Sequence, residues 1–426
     1  MTLLLRKLTK PWRRPEDVPA LTRPARLLIL GNSASALGSG LAMPYFAIFL
    51  LGVRGGATSA VGALATISVV DIVGQWILAS PLQRRLGSRL PAVAGSWTQA
   101  AGWALLALSS APWQVFACAA VIGLGNALFF SVRTNLQMEV VAEASHAYSF
   151  SLRYLIGNIG MTLGGVLGGA TVAWLGGERG PQVLMLANAG TFALFAVLLT
   201  TAIAPDRPAA QPSDAEPQPD GETERTSRRG VRPLGLIAAY FLLVTAGLAQ
   251  FEAVLPLQLT THGDMAPWMV GYLFSAFALS TVVLQMPVSR LSSRLGGVRS
   301  IHALAAAWIA GVLILQMQTD ASQGLQAVAI VAGVLVLAFG ECFFSPAIPR
   351  LLKTDDTELR RRTGTLVSSA HSLGQFAGPS IGIILVTHTT GGLYALVGCG
   401  AALAAVLVRQ LSPLPRKVIP TPTSVA

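Results

Sequence analysis

The sequence has few charged residues for its length. Asp, Glu, Lys and Arg make up 12% of its 426 residues, whereas soluble domains carry about 25%. A chain of this composition cannot cover its surface with polar groups, which excludes an ordinary soluble protein. Hydrophobic residues account for 53%, and the mean hydropathy is +0.60. Because many apolar runs exceed the ~18 residues that mark a bilayer-spanning helix, we predict an all-α protein that crosses a membrane several times.

Residues that build covalent and metal centres are also scarce. The three cysteines, Cys118, Cys342 and Cys399, fall within apolar runs and lack the spacing of metal ligands, which argues against disulfides and a metal site. The sequence contains no G-x-x-x-x-G-K-S/T phosphate-binding loop and no H-E-x-x-H zinc motif. No nucleophile and general base occur at the spacing of a known catalytic motif. We therefore expect no enzyme activity, no bound cofactor and no metal.

Basic residues outnumber acidic ones, and the formal net charge is +11. They are scattered in short clusters between apolar runs, a pattern that does not indicate nucleic-acid binding. If the N-terminus is cytoplasmic, 26 of the 30 Lys and Arg residues fall in cytoplasmic segments. Because cytoplasmic loops of membrane proteins carry an excess of Lys and Arg, we expect both termini to lie in the cytoplasm, and the protein to reside in the inner or plasma membrane.

Apolar runs of about 20 residues predict twelve membrane-spanning helices. They are expected near residues 27–52, 59–82, 91–110, 113–135, 150–175, 182–204, 233–259, 268–289, 300–318, 326–349, 364–387 and 392–411.

One long pattern occurs twice, 209 residues apart. Residues 61–87 begin with Val-Gly, continue as an apolar run and end in Arg-Leu-Gly, and residues 270–296 repeat this arrangement. A long pattern that recurs after about half the chain length is typical of a protein built from two homologous halves. We therefore predict two pseudo-symmetric bundles of six helices.

A long polar and proline-rich stretch separates these halves, and its low apolar content predicts a disordered linker. The predicted organisation is a cytoplasmic N-terminal tail at 1–26, a first bundle at 27–204, a cytoplasmic linker at 205–232, a second bundle at 233–411 and a cytoplasmic C-terminal tail at 412–426.

Three short motifs accompany the repeat: a basic turn after the second helix, a glycine stripe in the fifth and a glycine-proline motif in the eleventh. Glycines four residues apart lie on one face of a helix and let a neighbouring backbone approach closely. The stripe could therefore serve packing alone. The motif residues are Arg85, Gly87 and Arg89 in the turn, Gly160, Gly164 and Gly168 in the fifth helix, and Gly378 and Pro379 in the eleventh.

With these motifs the chain resembles the major facilitator superfamily, and within it the twelve-helix drug:proton antiporter branch. The resemblance covers residues 27–411. The turn departs from the family pattern, since Ser80 and Arg84 stand where that pattern has glycine and aspartate. The resemblance implies that the three motifs take part in gating as two bundles rock about a site near the middle of the membrane.

The resemblance further implies proton-coupled efflux of a hydrophobic or amphipathic small molecule, such as a drug or natural product, by a monomer in the lipid bilayer. The proton gradient is then the energy source, and the small-molecule substrate and the lipid bilayer are the partners. Two alternatives stay open: uptake or facilitated diffusion of a polar solute, and a transporter-like membrane sensor.

Ionisable groups within predicted membrane spans are costly and are functional candidates by default. Asp71, Glu252 and Glu341 are the acidic residues deep in the spans, and we expect the proton-coupling site among them. Arg133 and Arg153 are expected to act as fixed positive partners of such carboxylates. Simpler roles are hydrogen bonding between helices for the acids and snorkelling to the interface for the arginines.

Polar and aromatic residues in the spans are candidates for substrate contact, although such residues often serve packing. The candidates are Asn32, Tyr45, Gln75, Trp97, Asn126, Asn158, Gln250 and Phe251.

Overall fold

A computed structural model describes residues 19–53, 56–142, 145–176, 179–202, 231–262, 265–317, 323–352 and 357–409. Within these ranges the chain is helical and contains no strand. Most of the predicted N-terminal tail and linker, and the whole C-terminal tail, lie outside the described residues. The proposed domain boundaries therefore stay predictions.

The described ranges contain twelve helices, labelled α1 to α12, which confirms the predicted all-α fold. The first half contains α1 (Arg23–Val53), α2 (Gly56–Gly74, then a π-helical turn Gln75–Ala79 and a segment Ser80–Leu86), α3 (Arg89–Leu108), α4 (Pro112–Val140), α5 (His146–Leu175) and α6 (Arg179–Ala202). The second half contains α7 (Val231–Leu243, a π-helical turn Val244–Leu248, then Ala249–Ala253 and Leu255–Thr261), α8 (Pro267–Leu295), α9 (Gly297–Gln316), α10 (Gln323–Glu341 and Phe344–Leu352), α11 (Thr357–His388) and α12 (Gly392–Arg409).

Two of these helices are interrupted where the sequence analysis predicted continuous spans. In α7 the break falls at Val254, two residues before Pro256, and in α10 it falls at residues 342–343, before Pro346. Proline has no backbone N–H and its ring clashes with the carbonyl group four residues earlier. The proline positions therefore account for both breaks.

Ten of the twelve helices contain a stretch that is long and apolar enough to cross a membrane. The exceptions within the described residues, α3 and α11, carry more polar side chains. In α3, Ser96 and Gln99 are buried among neighbouring helices. Hydrogen bonds inside the bundle satisfy these polar groups, so they can lie within a membrane-spanning helix.

The helices form two bundles that correspond to the two halves of the sequence. In the first, α1 packs on α5 and α6, α3 on α4 and α6, and α2 on α4. In the second, α7 packs on α11 and α12, α9 on α10 and α12, and α8 on α10. The bundles meet chiefly through α5 against α8 and α2 against α11.

Glycines bring equivalent helix pairs of the two bundles into close contact. A Cβ atom at Gly164 of α5 would overlap the carbonyl oxygen of Leu37 in α1. In the second half, a Cβ atom at Gly378 of α11 would lie 2.6 Å from the carbonyl oxygen of Thr245 in α7. Since α1 corresponds to α7 and α5 to α11, these contacts confirm the predicted pseudo-symmetry.

The two copies of the basic turn also share one backbone conformation. Gly87 ends the last segment of α2 with φ 75°, and Gly296 ends α8 with φ 80°. Residues with a side chain rarely adopt this left-handed conformation. The repeated glycine is therefore required by the turn.

The α1–α5 contact predicts how substitution of its glycines affects stability. G164A should destabilise the protein by about 1–3 kcal/mol, the usual cost of overpacking, because the new methyl group overlaps the backbone of α1. The matched variant G190A adds a methyl group on α6 where nothing lies within 4 Å. Thermal unfolding in detergent should show a lower transition temperature for G164A alone, and equal transitions would contradict the packing described here.

Candidate functional site

The two bundles are tightly closed at one end, where α5 and α8 approach each other. A Cβ atom at Gly165 would lie 2.7 Å from the carbonyl oxygen of Gly271, and one at Gly169 would lie 2.8 Å from that of Trp268. Ser275 Oγ donates a hydrogen bond of 2.7 Å to the carbonyl oxygen of Thr162. We call this contact the α5–α8 seam.

Tyr45 ties α1 to the same seam. Its side chain is fully buried, and its hydroxyl group donates to the carbonyl oxygen of Trp268 at 3.4 Å and accepts from the backbone N–H of Gly271 at 3.0 Å. The sequence analysis proposed Tyr45 as a substrate contact. The structure places it in the closed contact between the halves, where it can hold this end shut.

The glycines of α5 face two different partners. The predicted residues Gly160, Gly164 and Gly168 pack on α1 within the first bundle. The contact between the halves uses Gly165 and Gly169, which were not among the predicted gating residues. The sequence feature that could have identified them is that each follows another glycine directly. Adjacent residues point to different sides of a helix, so a pair of glycines can serve two neighbouring helices.

At the other end of α5 the halves touch less closely. Tyr154 of α5 is 39% exposed, and its hydroxyl group lies 3.4 Å from Gln285 Oε1 of α8. Glu341, at the end of the first segment of α10, lies near enough to Tyr154 to interact with it electrostatically. The structure therefore places one predicted carboxylate beside the boundary between the bundles.

Asp71 lies in the middle of α2 and is half-buried. Its Oδ1 atom accepts a hydrogen bond of 2.9 Å from Gln75 Nε2, one helical turn later. Gln75 is also the first residue of the π-helical turn, a helix irregularity that is frequent at functional sites. Glu252 lies on the Ala249–Ala253 segment of α7, and its side chain is outside the described part of the structure. The three acids thus occupy three different helices.

The two predicted arginines, on α4 and α5, lie near enough for their charges to interact. Arg133 Nη1 donates to Asn32 Oδ1 of α1 at 3.5 Å, and its guanidinium carbon lies 4.9 Å from the centre of the Phe130 ring. The Arg153 guanidinium carbon lies 5.0 Å from the Phe150 ring, and the charges of the two arginines interact. The structure brings Asn32 and both arginines into one cluster.

Other predicted contact residues are engaged in helix packing. Gln250 is fully buried, and its Nε2 atom donates to the carbonyl oxygens of Thr245 at 2.7 Å and Gly378 at 2.5 Å. Asn126 accepts a bond of 2.6 Å from Gln99 Nε2. These side chains satisfy backbone and side-chain groups between helices, so their availability to a substrate stays a prediction.

The remaining predicted contacts lie in different places. Asn158 donates a bond of 2.9 Å to the carbonyl oxygen of Tyr154, one turn earlier in α5. Trp97 of α3 is 47% exposed. Phe251 is buried and packs edge-on against Trp308, with ring centres 5.2 Å apart.

Phe251 also lines a small apolar cavity of about 20 Å³ between α7, α8 and α10. Every side chain in its wall is hydrophobic, so the cavity suits an apolar group and offers no hydrogen bond to a polar one. Its walls are Phe251, Leu255, Pro256, Val270, Leu273, Phe274, Phe277 and Val334.

The basic turn after α2 connects helices of the first bundle. Arg89 donates to the carbonyl oxygens of Leu199 at 3.3 Å and Thr200 at 2.7 Å, near the end of α6. Ser88 donates a bond of 2.6 Å to Glu139 near the end of α4. The sequence analysis missed Glu139 because it expected α4 to end at residue 135. Arg85 is exposed, and Pro379 lies inside α11.

The profile of the Major Facilitator Superfamily matches residues 28–348 and 253–426 of this chain. Among curated proteins, the chain is 28% identical to the multidrug resistance protein MdtH of Yersinia enterocolitica over 148 residues, which span 35% of this chain and 36% of MdtH. It is 27% identical to the MFS-type transporter Rv0849 of Mycobacterium tuberculosis over 324 residues, spanning 74% of this chain and 73% of the relative.

Solved structures share the fold at low sequence identity. The nucleoside transporter NupG superposes with a TM-score of 0.67 at 12% identity, covering 92% of this chain and 98% of NupG. The peptide transporter POT superposes with a TM-score of 0.68 at 17% identity, covering 91% of this chain and 93% of POT.

The hydroxyl group of Tyr45 yields a prediction about the closed end. Y45F removes the hydroxyl group that accepts from the Gly271 N–H and donates to the Trp268 carbonyl oxygen. Loss of such a hydrogen bond costs about 0.5–1.5 kcal/mol and should raise the population with this end open by about twofold to tenfold. Spin labels at W113C and L325C, at the closed end of the two halves, would report the population by their distance distribution. In the control Y272F, which alters a 41% exposed tyrosine, the distribution should stay unchanged. An unchanged distribution in Y45F would contradict the role assigned to this hydroxyl group.

Proposed function

The chain belongs to the Major Facilitator Superfamily of membrane transporters, and we propose that it exports hydrophobic or amphipathic small molecules in exchange for protons. The observation that carries this proposal is the Asp71–Gln75 pair, a carboxylate in the middle of an apolar helix that packs on α11 of the other half. Protonation removes the charge of such a carboxylate and changes its hydrogen bonding. A proton there can therefore influence how the two halves meet.

Alternating access requires that the α5–α8 seam open and close. The seam combines backbone contact at glycines with a few hydrogen bonds, from Tyr45 and Ser275. A hydrogen bond between protein groups contributes about 1 kcal/mol net when other partners can replace it. The seam can therefore part at a cost that proton binding and substrate binding can offset.

The proposed substrate class rests on the apolar cavity beside Phe251 and on the similarity of part of the chain to the multidrug resistance protein MdtH. A cavity with only hydrophobic walls favours an apolar moiety over a sugar or a nucleoside. MdtH is described as a multidrug resistance protein, which agrees with such a substrate. The likeness to nucleoside and peptide transporters reflects the shared fold.

The direction of transport follows from the proposed topology. The distribution of Lys and Arg favours cytoplasmic termini in an inner or plasma membrane. In that orientation α1 ends on the outer side, so the closed seam faces outward and the other end faces the cytoplasm. We propose that the substrate enters from the cytoplasmic side or from the inner leaflet and leaves when the seam opens.

Efflux can be tested in cells. Expression in an efflux-deficient bacterial host should raise resistance to some members of a panel of neutral, anionic and cationic amphipathic compounds. If susceptibility to the whole panel is unchanged by the wild-type gene, export of amphipathic compounds is the wrong function.

Proton coupling can be tested at Asp71. In proteoliposomes that contain the pH dye pyranine, D71N should abolish proton movement driven by the compounds that pass the susceptibility panel, because Asn cannot carry the proton. Exchange of the compound across the membrane, which needs no net proton movement, should persist and shows that the variant is folded. D71E should restore part of the coupling.

The same measurement on E252Q and E341Q assigns the coupling residue among the three acids. If D71N, E252Q and E341Q all keep wild-type coupling, proton exchange through these carboxylates is excluded.

A further inference from the structure

We propose that Arg133 and Arg153 form a binding site for an anionic group of the transported molecule, such as a carboxylate, sulfonate or phosphate. The inference rests on the proposed export of amphipathic molecules and narrows that class to anionic amphiphiles. With Asn32, the two arginines form a cluster on α1, α4 and α5, which we call the arginine cluster.

Both arginines lie well inside their helices. Arg133 is seven residues before the end of α4, and Arg153 is seven residues after the start of α5. At 1.5 Å per residue, each Cα atom is about 10 Å from its helix end along the axis. Each side chain is more than half buried. Anchoring at the membrane surface alone does not require such a position in both helices.

Two of the guanidinium nitrogens lack an acceptor. Arg133 Nε and Arg153 Nη1 are buried, and no hydrogen-bond acceptor is within reach of either atom in the part of the chain that the structure describes. A buried donor on a charged group is costly to leave unsatisfied, and two positive charges close together add repulsion.

A bound anion would supply an acceptor for the unsatisfied donors and would offset the repulsion between the two positive charges. The guanidinium group presents N–H donors in a planar fork that matches carboxylate, sulfonate and phosphate oxygens. The bond from Arg133 to Asn32 is long at 3.5 Å, so it holds the side chain only weakly. Phe130 and Phe150 cover faces of the guanidinium groups, and such aromatic rings are also suitable neighbours for the apolar part of an amphiphile.

The arginine cluster adjoins the boundary between the halves. Arg153 is followed directly by Tyr154, which touches Gln285 of α8 and lies near Glu341 of α10. A ligand bound to the arginines would thus lie at the same depth along α5 as this contact with the other bundle. In the proposed topology the arginine cluster is on the cytoplasmic side. That is the end opposite the α5–α8 seam, where the two bundles touch less closely.

The test compares two fluorescent probes of similar shape. 8-Anilinonaphthalene-1-sulfonate carries a sulfonate group, and N-phenyl-1-naphthylamine is its neutral counterpart. Binding of both is measured by fluorescence titration of the full chain in phosphatidylcholine nanodiscs, with empty nanodiscs subtracted. The variants are R133Q, R153Q and the double lysine variant R133K/R153K, and the control is R290Q, which removes an exposed charge on α8.

We expect R133Q and R153Q each to weaken sulfonate binding by about tenfold or more, the usual effect of losing a hydrogen bond to a charged group. Binding of the neutral probe should change less than twofold, which also shows that the variants are folded. R133K/R153K should retain intermediate sulfonate affinity because lysine keeps the charge without the planar fork. R290Q should bind both probes like the wild type.

Equal sulfonate affinity in the wild type, R133Q and R153Q would overturn the proposal. An anionic lipid headgroup is the other source of the same chemistry, so the titration is repeated with phosphatidylglycerol in the nanodiscs. If this lipid removes the arginine dependence of sulfonate binding, the occupant is lipid and the assignment to substrate is overturned. Binding is measured here without transport. If the protein does not export compounds from cells, the proposed function is rejected, and the binding result still tests the arginine site.

Discussion

Close contact between helix backbones at glycine residues is the constraint on which this structure depends. In lipid, helices gain little from burying apolar surface against each other, so association relies on packing and on hydrogen bonds between helices. Gly164 brings α5 onto α1, Gly378 brings α11 onto α7, and Gly165 brings α5 onto α8. The first two contacts hold each bundle together. The third joins the bundles with few hydrogen bonds, so it can separate as a unit while the bundles stay intact.

The fold was largely predictable because its physical causes are local. Apolar length located all twelve helices, and the repeat at 61–87 and 270–296 identified two halves whose turns share a left-handed glycine. The breaks in α7 and α10 were not predicted, although Pro256 and Pro346 signalled them. The partners of a glycine could not be read from the sequence, since Gly164 and Gly165 are adjacent and yet contact different bundles.

The candidate site was predictable by residue type and less so by arrangement. The cost of charge in lipid singled out Asp71, Arg133 and Arg153 from the sequence. Their partners depend on how helices rotate about their axes: Asp71 bonds Gln75 on its own helix, and Arg133 meets Asn32 of α1. The same rotation buries Gln250 between α7 and α11, although its sequence position equally suited a cavity. The pairing of the arginines with carboxylates stays a prediction, and two of their buried donors have no acceptor among the described residues.

The central claim is that the α5–α8 seam opens and closes during transport. Ser275 Oγ lies 2.7 Å from the carbonyl oxygen of Thr162, so α5 and α8 touch at these positions, and a double variant with T162C and S275C is the candidate pair for a disulfide across the seam. The most direct measurement is the transport rate of this double variant in proteoliposomes before oxidation, after oxidation and after reduction. The account predicts that oxidation stops transport and that reduction restores it. Full transport by the cross-linked protein would contradict it.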